Sequence, residues 1–271
     1  MKIVDFDGMF DEKIAQFVKE SKKKRSSKAW EDVIPKLYKQ FGDTYVAKIK
    51  CTPKQYYANM STSELVTTLT LHVKEGVPVP EFLTNELEKR QETQELLPLL
   101  DGEAAQYGVS LLGENPCAYE KYFSMLVSDI DEALKGEIVS ILSECADKVK
   151  GRAMEYCRNE IEKESALYLL SRVKMRDEEV YQTLLKAFLE ADEWSLVLRA
   201  GYLASYGDER ALPALLRKIE DPSIGFVEFQ ELKYAIEALG GEYYGERDFS
   251  TDRDYLKIEA EKERLAKAEN K

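Results

Sequence analysis

Apolar residues recur along this chain at the spacing of an α-helix, segment after segment, with polar residues between them. Ile14, Phe17 and Val18 share one helical face. Trp30, Val33, Ile34, Leu37, Tyr38 and Phe41 share another, before Gly42 offers a C-cap. Pro35 interrupts this second stretch and either kinks the helix or marks its start. Ser61 and Glu64 have the spacing of a capping box ahead of Leu65, Val66, Leu69 and Val73, and Gly76 with Pro78 ends that helix. A further helix is expected from Glu81 through Phe82, Leu83 and Leu87 towards Leu96, with Pro98 and Asp101-Gly102 as the next break. Only Tyr45 to Cys51 alternates in the manner of a strand.

Beyond residue 101 the pattern predicts helices of similar length over 103–112, 117–128, 132–146, 150–161, 163–174, 178–190, 194–206, 209–220 and 226–239. Such a series, joined by short polar turns, is the mark of stacked helix pairs. Asp177 to Lys186 lies over Asp208 to Arg217 at an offset of 31 residues. In both segments an Asp in N-cap position starts the helix, and a Leu pair, Leu184-Leu185 or Leu215-Leu216, follows to enter the core.

The run from Leu203 to Leu216, then Glu220-Asp221-Pro222 and the stretch Ala235-Ile236-Glu237-Ala238-Leu239-Gly240, closely resembles bacterial HEAT-like repeats. The likeness spans residues 160–240 and is clearest over 195–240. It implies an all-α fold, a right-handed α-α superhelix whose second helices line the concave face, in a family whose commonest role is protein binding. Ser223-Ile224-Gly225-Phe226-Val227 departs from the short acidic link usual in that family, which implies a distorted last repeat. The expected organisation is an N-terminal helical region over 1–100, HEAT-like repeats over 101–249, and a C-terminal helix with a frayed tip over 250–271. Thr251 with Asp254 is the capping pair expected for that last helix.

Charge sharpens this picture. The net charge is -12, yet residues 1–100 carry 16 Lys plus Arg against 15 Asp plus Glu, leaving 23 against 36 for the rest. A repeat region that acidic repels phosphate backbones, so nucleic acid is an unlikely partner and a protein or peptide the expected one. No apolar run approaches the length of a membrane span, and Asp5, Asp7, Asp11 and Glu12 stand where a signal peptide is apolar. The four cysteines lie 66, 28 and 12 residues apart with no Cys-x-x-Cys pair, which reads as free thiols in a cytoplasmic protein.

Candidate chemistry is sparse. Lys2-Ile3-Val4-Asp5-Phe6-Asp7-Gly8 resembles the first motif of haloacid-dehalogenase-type phosphatases, in which Asp5 would be the nucleophile and Asp7 the general acid, with magnesium alongside. That fold needs a parallel sheet, and the sequence offers helices. Gly207-Asp208, the nearest match to its later acidic motif, reads better as a helix C-cap followed by an N-cap. Asp5 and Asp7 are therefore expected in the turn before the first helix.

HEAT-like enzymes that act on DNA, the alkylpurine glycosylases, are the alternative within the resemblance; the acidic charge counts against them. A single histidine, His72, excludes the iron-dependent hydroxylases of the same fold, and no metal or other cofactor is expected. His72 itself is read as structural, near a helix C-terminus. Lys22-Lys23-Lys24-Arg25 is read as a solvated helix end. Tyr56, Tyr57, Tyr119, Tyr122, Tyr202, Tyr206, Tyr243 and Tyr244 occur as near neighbours, a pattern of binding surfaces or of the edges of thin helical layers.

The binding site expected of a non-enzymatic scaffold is a short basic stripe. With Tyr181, Leu184, Leu185 and Phe188 turned to the core, Gln182 and Lys186 fall on the open side of their helix. The offset of 31 sets Pro213 and Arg217 beside them, with Arg210 about one turn away. Such a stripe would hold an acidic peptide, Arg217 making a bidentate contact. The alternative is that these cations only balance Glu190, Glu220 and Asp221.

Overall fold

The structure is a computed structural model that describes residues 3–20, 27–91 and 93–269. The basic run Lys22-Lys23-Lys24-Arg25 lies outside them. Regular structure among the described residues is helical: α1 (Phe6–Glu20), α2 (Ser27–Phe41), α3 (Pro53–Ala58), α4 (Thr62–Lys74), α5 (Glu81–Glu88), α6 (Ala105–Leu112), α7 (Tyr119–Leu126) and α8 (Glu132–Glu144). There follow α9 (Ala146–Arg158), α10 (Lys163–Ser171), α11 (Glu178–Leu189), α12 (Leu196–Tyr206), α13 (Leu212–Ile219), α14 (Phe226–Ala238) and α15 (Arg253–Glu269). Short 3-10 helices precede α6, α7 and α13. No described helix is long and apolar enough to cross a membrane. Where the sequence alternates like a strand, a single antiparallel bridge joins Val46 to Cys51.

The chain divides into two compact units, residues 1–125 with 130–138, and 126–129 with 139–271. The division falls later than the break suggested by Asp101-Gly102. The reason is local: the 3-10 helix Thr93–Asp101 packs on both α4 and α6, so the turn at 101 lies inside the first unit. That helix is separate from α5. Between them Arg90 turns back and donates to the carbonyls of Ala58 and Met60 at the end of α3.

In the first unit the core gathers Tyr57, Leu65, Leu69, Leu83, Leu87, Leu99 and Tyr122. α1 buries a different face from the one its periodicity suggests. Phe6 and Phe10 are buried against Tyr57 and Phe41, while Phe17 and Val18 are nearly half exposed. α2 runs through Pro35 without ending. Gly42 is not a left-handed cap; a Cβ there would lie 2.5 Å from Phe82 Cε1, so the position requires glycine for space. Ser61 and Glu64 do form the expected capping box, and Gly76 follows α4 with φ of 64°.

In the second unit α9 packs on α10, α11 on α12 and α13 on α14, while α12 also packs on α10 and α14. This sets α10, α12 and α14, here the second helices, side by side, with the first helices α9, α11 and α13 each packed on one of them. Asp177 caps α11 by accepting from the Glu179 and Val180 amides, and Asp208 caps the 3-10 turn before α13. Gly207, with φ of 75°, ends α12 directly before it. Of each Leu pair only the first, Leu184 or Leu215, is fully buried; Leu185 and Leu216 are half-buried.

A strap over 240–252 closes the unit. Its Arg247 donates to Ile219 O at 2.7 Å and Asp221 O at 2.9 Å, satisfying carbonyls at the C-terminus of α13, while its guanidinium lies over the Phe229 ring. The cap of α15 is Asp252 rather than Thr251. One carboxylate oxygen of Asp252 accepts from the Asp254 and Tyr255 amides, and the other accepts from Phe226 N at the start of α14.

Candidate functional site

The expected basic stripe lies on the first helices, and all of its residues but Arg217 have partners. Gln182 donates to Glu178 at 2.8 Å, and Lys186 stands 3.8 Å from Glu190. Arg210 is held by Asp208 at 2.8 Å and Glu178 at 2.7 Å, and lies over the Tyr181 ring at 4.1 Å. Asp208 is almost buried, and the Arg210 side chain depresses its carboxyl below the usual range. Arg217 is exposed and makes no ion pair among the described residues. Gln182 and Lys186 thus have partners on their own helix, Arg210 bridges Asp208 to Glu178 and Tyr181 of the preceding helix pair, and Arg217 is left open.

The second-helix row differs in chemistry. Trp194, Leu198, Gly201 and Ser205 follow one another at helical spacing along α12 and the turn before it, and all four are exposed. Trp194 is 87% exposed and Leu198 51%. On α14 the exposed residues Val227, Glu231 and Tyr234 share a face in the same way. The outer positions of α10 and α12 meet through the rings of Tyr168 and Tyr202 and through Arg172, which donates to Ser205 Oγ at 3.4 Å. Beside the apolar positions stand three exposed carboxylates, Glu193, Glu231 and Glu237, while the exposed Arg172 lies at the Ser205 end of the face. Sequence periodicity placed these helices correctly. It could not separate exposed apolar positions from buried ones, because both recur every three or four residues.

In the N-terminal unit the phosphatase-like motif has another role. Asp5 stands before α1 and accepts from the Gly8 amide at 2.8 Å, as an N-terminal carboxylate does. Asp7 lies in the first turn of α1 and accepts from the Tyr38 hydroxyl. Neither stands at the end of a strand, and the sheet that the phosphatase chemistry needs is absent among the described residues. Asp7 opens instead on a cleft of about 910 Å³. Phe10, Ile34, Pro35, Val79 and Phe82 supply its apolar walls, with Asp11, Glu81 and Asn85 on its rim. The Tyr38 ring lies flat on Phe82, 4.6 Å between centroids, and burial followed by the Asp7 hydrogen bond pushes its phenol far above the usual range.

His72 is fully buried, and its Nδ1 donates to Pro78 O at 2.8 Å, which fixes the segment that supplies Pro78 and Val79 to the cleft. Its role is to hold a wall. All four thiols are free; Cys145 and Cys157 are buried, and burial pushes the Cys157 thiol up to about 11. Among the described residues no group of three His, Cys, Asp or Glu side chains is placed to hold a metal ion. Compared with protein-family profiles, curated proteins and solved structures, this chain matches none.

Proposed function

We propose that the chain is a HEAT-like helical scaffold that binds a protein segment along its row of second helices, through apolar anchors supported by acidic residues. The observation that carries this reading is Trp194, 87% exposed with Leu198 one turn further on. A solvated indole buries on the order of 150–250 Å² when covered, which at ~25 cal/mol per Å² contributes about 4 kcal/mol. That is nearly a thousandfold in affinity from one residue before the costs of ordering are met. Tyr234 on the next second helix, 58% exposed, offers another amphipathic anchor of the kind enriched in interfaces.

Glu193, Glu231 and Glu237 beside these anchors favour a partner segment with Lys or Arg among its apolar residues. This shifts the proposed face from the first-helix stripe to the second row, the row that lines the concave side of a HEAT superhelix. Selection of a displayed peptide library on the full chain tests it. Enriched peptides should combine apolar and basic residues and lose binding on Trp194→Ala with Tyr234→Ala, while Lys186→Glu with Arg217→Glu leaves them bound. Acidic peptides that respond only to the latter pair would return the interface to the first row.

A further inference from the structure

We propose that the cleft of the N-terminal unit binds a small organic cation, an ammonium or guanidinium group carried on a flat apolar body. This rests on different residues from the second-helix reading and stands or falls separately. The cleft, about 910 Å³, lies within the range of small-molecule sites, and Phe10, Ile34, Pro35, Val79 and Phe82 form the apolar part of its lining. Phe82 and Tyr38 are stacked at 4.6 Å, with Phe10 edge-on to Tyr38 at 5.0 Å. Such walls suit an aromatic or aliphatic body.

The charge of the cleft selects the sign of the ligand. Asp7, Asp11 and Glu81 line it from α1 and α5, against Lys39 and Lys54. Lys54 is already held by Asp43 at 2.7 Å, and no described Lys or Arg is paired with any of the three carboxylates. Asp7 accepts from the Tyr38 hydroxyl, and Glu81, at the start of α5, lines the same cleft. The Tyr38 phenol donates to Asp7, which orients that carboxylate. Asp11, one turn after Asp7 on α1, adds charge on the same face. The lining thus sets three carboxylates against two ammonium groups, one of which, Lys54, is already paired, and this balance favours a ligand cation over an anion.

Three probes with one body and different charge test the proposal by calorimetry on the full chain: tyramine, the neutral tyrosol, and 4-hydroxyphenylacetate. Tyramine should bind about tenfold more tightly than tyrosol, with 4-hydroxyphenylacetate weakest. Added salt should weaken tyramine and leave tyrosol unchanged. Glu81→Gln and Asp7→Asn should each remove most of the tyramine preference while tyrosol binding stays. Glu81 is exposed, so Glu81→Gln carries the test even where Asp7→Asn disturbs folding, as thermal midpoints will tell. Equal affinity for all three probes, preference for the anion, or no binding at millimolar concentration would overturn the proposal. So would binding of a lysine-containing peptide alone, which would make the cleft a peptide site.

Discussion

Arg247→Ala should loosen the end of the C-terminal unit, and the structure sets the scale. The guanidinium donates to Ile219 O and Asp221 O at 2.7 and 2.9 Å and lies 5.2 Å from the Phe229 ring centroid. Hydrogen bonds from a charged donor contribute about 1.5–3 kcal/mol each in partly buried settings. A cation at a helix C-terminus adds roughly 0.3–1 kcal/mol, and a cation over a ring about 0.5–1 kcal/mol. Against these stand up to ~2 kcal/mol of side-chain ordering and the water that replaces the lost donors. The expected net cost is about 2–3 kcal/mol, which for a unit of this size lowers the thermal midpoint by roughly 6–12 °C. Hydrogen exchange should quicken first in 216–226 and the strap, and far-UV circular dichroism will report the midpoint. Arg247→Lys keeps the charge but loses the fork, and should recover less than half of the loss. An Arg247→Ala protein within ~0.5 kcal/mol of the parent, with unchanged exchange in the strap, would refute this account of how α13 ends.

Gly42→Ala should cost about 1–3 kcal/mol, since its Cβ would meet Phe82 Cε1 at 2.5 Å, and a denaturant titration will measure it. Asp177, Asp208 and Asp252 all have depressed carboxyl pKa values in the folded chain, chiefly through the Lys150 side chain, the Arg210 side chain and the Tyr255 amide respectively. Their stabilisation is complete above the unfolded value of about 3.9 and is lost as pH falls through the folded values. The thermal midpoint should therefore drop steadily below about pH 4, and a midpoint unchanged down to pH 2.5 would contradict these caps. Cys157, pushed up to about 11, should react with iodoacetamide at pH 8 more than about a hundredfold slower than the half-buried Cys51 and Cys117, read by peptide mass mapping.

Helix positions were legible because each pairs an apolar stripe with a terminal signal that acts locally. The Ser61–Glu64 box, Gly207 and the caps Asp177 and Asp208 are all visible in a few consecutive residues. What the sequence did not display depends on distant partners. Phe6 and Phe10 take the buried face of α1 because the rings that receive them come from α2 and α3, as far as Tyr57. Gly42 looked like a cap because close approach by Phe82 has no sequence signature. The apolar cleft was invisible for the same reason: Asp7, Tyr38 and Glu81 are separated by spacings that carry no period. The exposure of Trp194 and Leu198 was not legible either, because the spacing of a covered face and a bare one is the same.

Asp252 ties the tolerance of this chain to shortening to two helices at once. Its carboxylate serves the first amides of α15 with one oxygen and the Phe226 amide of α14 with the other. A truncation ending before residue 252 removes more than a terminal helix, because it also strips the start of α14 of an acceptor and leaves the Phe226 ring without Phe249 or Tyr255 if the cut falls ahead of them. Expression boundaries chosen to trim the C-terminus should therefore keep residues through at least the first turn of α15. Shorter versions will carry their damage inward, to the helix that packs on both α12 and α13.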